Sequence, residues 1–216
     1  MKQLLLLAAA CCIITVSKAQ FKNGSTMIGG SIGYNNTDNS YSDNSGYKST
    51  SNGLNLGLSY AKSYSENVFW GLTASFGYSD YKNVDPNNPA SNNNSQTRNF
   101  YLGVFCRKYY PIITNLYVFT QTGLGYTNSS SDGSNTAPSK GYNVGIYGYP
   151  GISFKASKKI YLETTLNNVL NVDYSHTETN YTPTTTYNQN RFSATVQLPT
   201  QILQNLNVGM TIILGK

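Results

Sequence analysis

The only histidine of the chain, His176, stands in the segment Asp173-Tyr174-Ser175-His176-Thr177-Glu178, beside a serine and two carboxylates. A histidine, a serine and an acid could supply the base, nucleophile and orienting group of a hydrolase. Asp173, His176 and Glu178 could alternatively hold a metal ion. Spacing argues against the first: in an extended segment Ser175 points to the face opposite His176, so base and nucleophile do not converge. Gly123-Leu124-Gly125 lacks the following helix that a phosphate-cradling loop needs. The expectation is no catalytic residue, no metal site and no cofactor, with a hydrolase built on His176 kept as a remote alternative. Two other ionisable residues, Arg107 and Glu163, stand on odd-numbered, inward-facing positions close to the short connections. Buried charges are costly alone, so these two should pair with each other or with nearby tyrosines and asparagines. A structural pair is the plainer reading, a proton or ion path the sharper one.

The elements that position these residues alternate. Stretch after stretch keeps its apolar residues on even-numbered positions, from Ile28 and Ile32 to Met210, Ile212 and Leu214. Period two is the signature of strands, and one phase held throughout means a two-faced sheet. Eight strands are expected, at about 26–34, 52–61, 67–78, 97–108, 115–126, 141–154, 160–174, and one within 191–214. For the last, Leu206 to Leu214 is the expected membrane crossing and the part before it projects above; an additional strand is the alternative. Pro150 should produce a bulge, because proline lacks a ladder donor.

The connections alternate in length. Segments 35–51, 79–96, 127–140 and 175–190 are long and rich in Asn, Ser, Thr, Asp and Pro, while 62–66, 109–114 and 155–159 are short. That rhythm fits an up-and-down barrel with long loops at one end and tight turns at the other.

Composition bounds the rest. The 216 residues carry a formal charge of +6, but the cations are scattered and form no stripe, so no nucleic acid partner is expected. The start, Lys2 followed by apolar Leu4 to Val16 and then Ser17-Lys18-Ala19, reads as a secretory signal cleaved before Gln20. The domains would then be a signal over 1–19 and a barrel over 20–216. Cleavage before Cys11, giving a lipid anchor, is the alternative. Removal of the leader leaves Cys106 as the lone thiol, sharing the apolar phase of Leu102 and Val104 and expected to be inert packing.

The odd face decides which side meets lipid. Gly29, Gly57, Gly71, Gly103, Gly123, Gly125, Gly145 and Gly151 are all odd, interleaved with large odd partners such as Phe69, Tyr101, Phe105, Tyr117, Phe119, Tyr147 and Tyr161. Small beside large is what a side-chain-filled eight-stranded lumen requires. On the even face, aromatic residues stand at strand ends with aliphatic ones between. Tyr34, Tyr78, Phe100, Tyr126 and Tyr142 lie beside the long loops, and Tyr60, Trp70 and Phe154 beside the short turns. Two aromatic girdles at two membrane interfaces are expected. Lys62, Lys108, Lys155, Lys158 and Lys159 gather at the short turns, where they would meet anionic lipid headgroups or form a solvated rim.

On these features, together with the leader ending Ala19-Gln20 and the closing Leu206-Asn207-Val208-Gly209-Met210-Thr211-Ile212-Ile213-Leu214, the chain resembles the OmpA-like transmembrane and OmpX-like small outer-membrane barrels of Gram-negative bacteria. Such families commonly close on an aromatic residue, whereas this chain closes Ile213-Leu214-Gly215-Lys216. The resemblance implies an all-β, eight-stranded antiparallel transmembrane barrel in the cell outer membrane, with both termini periplasmic and no enzymatic residues. Its implied partners are outer-membrane lipid and the barrel assembly machinery. Loops 35–51, 79–96, 127–140 and 175–190 would carry adhesion or ligand recognition, if the role is not purely structural. A small pore or hydrophobic-solute transporter is the alternative function.

Overall fold

The computed structural model describes residues 21–40, 48–89, 92–134, 136–166, 169–182, 185–196 and 206–215; the leader, with Cys11 and Cys12, lies outside them. The strands are β1 (Thr26–Ser40), β2 (Lys48–Ser65), β3 (Val68–Val84), β4 (Asn93–Ile113), β5 (Leu116–Ser134), β6 (Thr136–Lys155), β7 (Ile160–Leu166), β8 (Leu170–Thr182), β9 (Thr185–Val196) and β10 (Leu206–Leu214). All described pairings are antiparallel.

The fold is the expected all-β barrel, but the sheet has ten strands where eight were expected. The closed ring runs β1-β2-β3-β4-β5-β6-β7-β10 and returns to β1, so eight strands form the circuit. The other two, β8 and β9, are a hairpin resting on the upper half of β6. Two expected strands are therefore divided. Region 160–174 breaks between β7 and β8, and 191–196 belongs to β9, separate from the β10 crossing; residues 197–205 lie outside the described set.

The first division has a cause at Pro150. On β6, Gly151 faces Thr165 of β7 while Gly148 faces Leu170 of β8. Three steps on β6 thus separate two pairings that lie five residues apart on the neighbouring strands, and the change of partner falls at Tyr149 and Pro150, where the ladder lacks an N–H. An even offset leaves the inside-outside phase unchanged.

Ring closure fixes the tilt. From Ile32 the partners run through Leu56, Phe76, Phe100 and Asn128 to Tyr142 on β6; the other way round, Val208 and Thr164 lead to Ile152. The two arrivals differ by ten residues, the stagger expected of strands tilted by roughly 40°. Odd residues face the lumen, where Phe69, Phe105, Tyr109, Tyr117, Phe119 and Tyr161 are buried. Even residues face outward, with Ile32 60 % and Leu58 72 % exposed.

The supposed long loops are mostly ladder. Pairing continues to Ser40 with Lys48, Asn83 with Asn93, Gly133 with Thr136 and Thr182 with Thr185. Above the apolar band no lipid demands alternating hydrophobicity, so backbone pairing persists there without a period-two signal in the sequence.

Candidate functional site

In the lower lumen, Arg107 on β4 and Glu163 on β7 are both buried, and Arg107 Nη1 donates to Glu163 Oε2 at 2.7 Å. Each has further partners. Arg107 Nε donates to Gln121 Oε1 at 2.7 Å and Nη1 to Tyr109 Oη at 3.0 Å; Tyr109 Oη in turn donates to Glu163 Oε1 at 2.6 Å, and Ser153 Oγ to the same oxygen at 3.3 Å. The guanidinium also lies 4.3 Å from the Phe119 ring centroid. Every member of the layer is thus engaged with another, which suits a cross-lumen strut.

Below the strut is an aromatic floor centred on Phe21, whose ring centroid lies 5.0 Å from Tyr109, 5.3 Å from Tyr117, 5.4 Å from Tyr161 and 5.7 Å from Phe69. The β2–β3 turn holds it there. Asn67, in the left-handed region at φ 62°, accepts on its Oδ1 from Phe21 N at 3.1 Å, donates from its backbone N to Phe21 O at 3.2 Å, and accepts on its own backbone O from Tyr109 N at 2.9 Å. Sequence reasoning missed this cork. The available signal was a lone odd-phase aromatic just ahead of the first strand.

Above the strut the lumen is open, which corrects the expectation of a lumen filled throughout. A cavity of about 630 Å³ is bounded by Ser75, Asn99, Tyr101, Thr127, Asn143, Tyr147 and Asn171, with Gln121 at its base. The odd glycines explain the space: a Cβ at Gly125 would overlap the Tyr101 ring, and one at Gly123 the Tyr147 ring, so both rings lie against the wall. Beside the cavity, Asn143 Nδ2 donates to Asp173 Oδ2 at 2.7 Å and Asn171 Nδ2 to Asp173 Oδ1 at 2.5 Å.

The segment around His176 does not converge. His176 faces outward on β8, its Nδ1 2.9 Å from Asn190 Oδ1 and its ring 5.4 Å from that of Tyr142. Ser175 points the other way and donates to Arg191 O at 3.5 Å, while Asp173 is held inside by the two asparagines. Among the described residues no group of three His, Cys, Asp or Glu side chains is placed to hold a metal ion.

On the outer wall, Tyr34, Tyr60, Trp70, Phe100, Tyr126, Tyr142 and Phe154 are exposed and Tyr78 is half-buried. Tyr126 and Tyr142 stack at 6.2 Å, and Tyr174, outside the sequence-derived set, extends the group at 6.5 Å from Tyr142. Cys106 also faces outward, between Trp70 and Thr122 on the flanking strands. At the short-turn end Lys108 Nζ lies 5.2 Å from the Tyr110 ring centroid.

The sequence profile of the family described as "Outer membrane protein beta-barrel domain" matches residues 4–198. Comparison with curated proteins finds no match. Among solved structures, the outer membrane protein OprG from Pseudomonas aeruginosa superposes with a TM-score of 0.57 at 12 % identity, covering 93 % of this chain and 100 % of that one. Neisserial surface protein A (NspA) gives a TM-score of 0.41 at 12 % identity, over 88 % of this chain and 97 % of its own. Ail, the attachment invasion locus protein of Yersinia pestis, gives 0.31 at 12 %, over 88 % and 95 %.

Proposed function

From the premise that this chain belongs to the outer membrane protein beta-barrel domain family, we propose that it is a non-enzymatic barrel of a Gram-negative outer membrane that works as a surface-recognition scaffold. The hairpins β1–β2, β3–β4, β5–β6 and β8–β9 face the exterior, and both chain ends face the periplasm. The observation that carries this reading is the continuation of all four ladders past the aromatic residues into Asn-, Ser- and Thr-rich sequence. A segment held in a ladder has already lost much of the backbone entropy that a free loop loses on binding. Rigid projections are therefore better suited to contact a partner than to serve only as connections.

The test replaces each hairpin above the aromatic level with a two-residue turn and measures attachment of bacteria displaying the barrel to host cells and to extracellular matrix. Loss of attachment with an intact, heat-modifiable barrel supports recognition. Full attachment without any of the four hairpins sinks it. Against the alternative of an open pore stand the Arg107–Glu163 strut and the Phe21 floor, two successive obstructions in one lumen.

A further inference from the structure

We propose that the upper lumen is a binding cup for a small neutral polyhydroxylated solute, of the mono- or disaccharide class. At about 630 Å³ it falls within the range of small-molecule sites. It has a floor, since Gln121 at its base is bonded to Arg107 and the aromatic cork lies beneath. A second cavity of about 250 Å³ shares Asn99 and Asn143 with it and continues toward the hairpins. At the base a small cavity of about 120 Å³, which shares Gln121 and Tyr149 with the cup, reaches down to the Arg107–Glu163 pair, so the cup narrows toward the strut and is approached from the hairpin end.

The lining chemistry selects the class. No Lys, Arg, His, Asp or Glu lines the cup; its polar groups are amides and hydroxyls. The charges next to it are already engaged, Arg107 with Glu163 in the adjoining cavity and Asp173 with two amides, so an ion entering the cup would lose water without meeting a free counter-charge. An apolar solute would strip water from Asn99 and from the amide groups of Asn143, Asn171 and Gln121 that Asp173 and Arg107 do not already engage. A polyhydroxylated ring satisfies both demands. Its hydroxyls donate to and accept from amides, and its weakly positive C–H face packs on the negative faces of tyrosine rings. The positioning is built in: Asp173 orients two of the amides by accepting from Asn143 and Asn171, and Gly123 and Gly125 let the Tyr147 and Tyr101 rings lie back against the wall. Asp173 thus acts as a positioning residue that does not itself line the cup.

The experiment uses the full barrel, refolded in an amine-oxide detergent because alkyl glycosides would compete, with tyrosine ring carbons labelled for NMR. Maltose and glucose are titrated, with glucose 6-phosphate and indole as charged and apolar probes. Saturable shifts of the Tyr101 and Tyr147 resonances with a neutral sugar are expected. Asn99→Leu and Thr127→Leu, each checked for a compact heat-modifiable fold, should raise its Kd about tenfold or more, as loss of a good hydrogen bond does. Leu124→Ala on the outer wall should leave it unchanged. Absence of saturation with both sugars up to about 100 mM, well beyond weak-binding affinities, overturns the proposal. So does tighter binding of glucose 6-phosphate or indole, or a Kd unmoved by both cup substitutions.

Discussion

Arg107 and Glu163 meet at 2.7 Å across the lumen, from β4 to β7, strands separated in the ring by β5 and β6. The pair ties opposite walls together, and neither charge has bulk water to fall back on. Removing one partner should therefore cost more than removing both. Glu163→Ala is expected to lose about 3–5 kcal/mol, because the guanidinium stays buried and unpaired, while Arg107→Met combined with Glu163→Leu recovers much of it. Urea titration of the barrel in lipid vesicles measures the difference. A double variant that loses as much as Arg107→Met and Glu163→Leu measured singly add up to would show that the pair is not coupled.

Glycine substitutions should divide by phase. At Gly71 a Cβ would overlap Tyr60 O and Ala61, which is backbone and cannot step aside; at Gly151 it would overlap the Phe119 ring. Gly71→Ala and Gly151→Ala are expected to slow or prevent formation of the compact gel species. Gly30 faces outward, and a Cβ there meets nothing closer than Gly57 O at 3.8 Å. Gly30→Ala should be neutral or stabilise by about 0.5–1 kcal/mol, the entropy that glycine costs within a strand. Unimpaired assembly of Gly71→Ala would refute the phase argument.

The parts of the barrel that touch lipid or pack inside it were legible, because each imposes a demand on alternate residues. Ile32 or Leu124 must be apolar, and Gly123 must be small because Tyr147 is large. The hairpins carried no such demand. Ser51 stands opposite Tyr81 in a ladder whose backbone pairing asks for no apolar residue, so the stretch looks like a polar loop in sequence. The break between β7 and β8 was half visible: Pro150 announced an irregularity, but the residue that omits a donor is on β6 while the change of strand falls on its neighbours, between Leu166 and Leu170. The cup was hidden because tyrosines counted as filler can lie flat over glycines. Which way a ring leans is a matter of tertiary packing that alternation does not encode.

The floor makes a prediction about conduction. Phe21, Tyr109, Tyr117 and Tyr161 close the base, and Arg107 with Glu163 closes the layer above. Wild-type barrel in planar bilayers should show no current above background. Phe21→Ala alone should remain closed, since the strut survives, whereas Phe21→Ala with Arg107→Ala and Glu163→Ala should open brief conducting events. Steady wild-type conductance would mean that the two seals are not the resting state of the lumen.

The outer wall gives the sharpest test of which face meets hydrocarbon. Leu124 lies in the middle of an outward apolar row, flanked by Val104 on β4 and Ile146 on β6, and is 50 % exposed. Three outward positions further up the same strand, Ser130 pairs with Arg98 and Lys140. An arginine placed at the bilayer midplane of a barrel costs about 2–4 kcal/mol, falling to about 0–1 near the interface. Leu124→Arg should therefore destabilise the barrel in vesicles by the larger amount and Ser130→Arg by the smaller. In a detergent micelle, which deforms around a charge more easily than a bilayer, the gap should shrink. If Leu124→Arg is tolerated in vesicles as well as Ser130→Arg, that row does not face lipid and the assignment of sides is wrong.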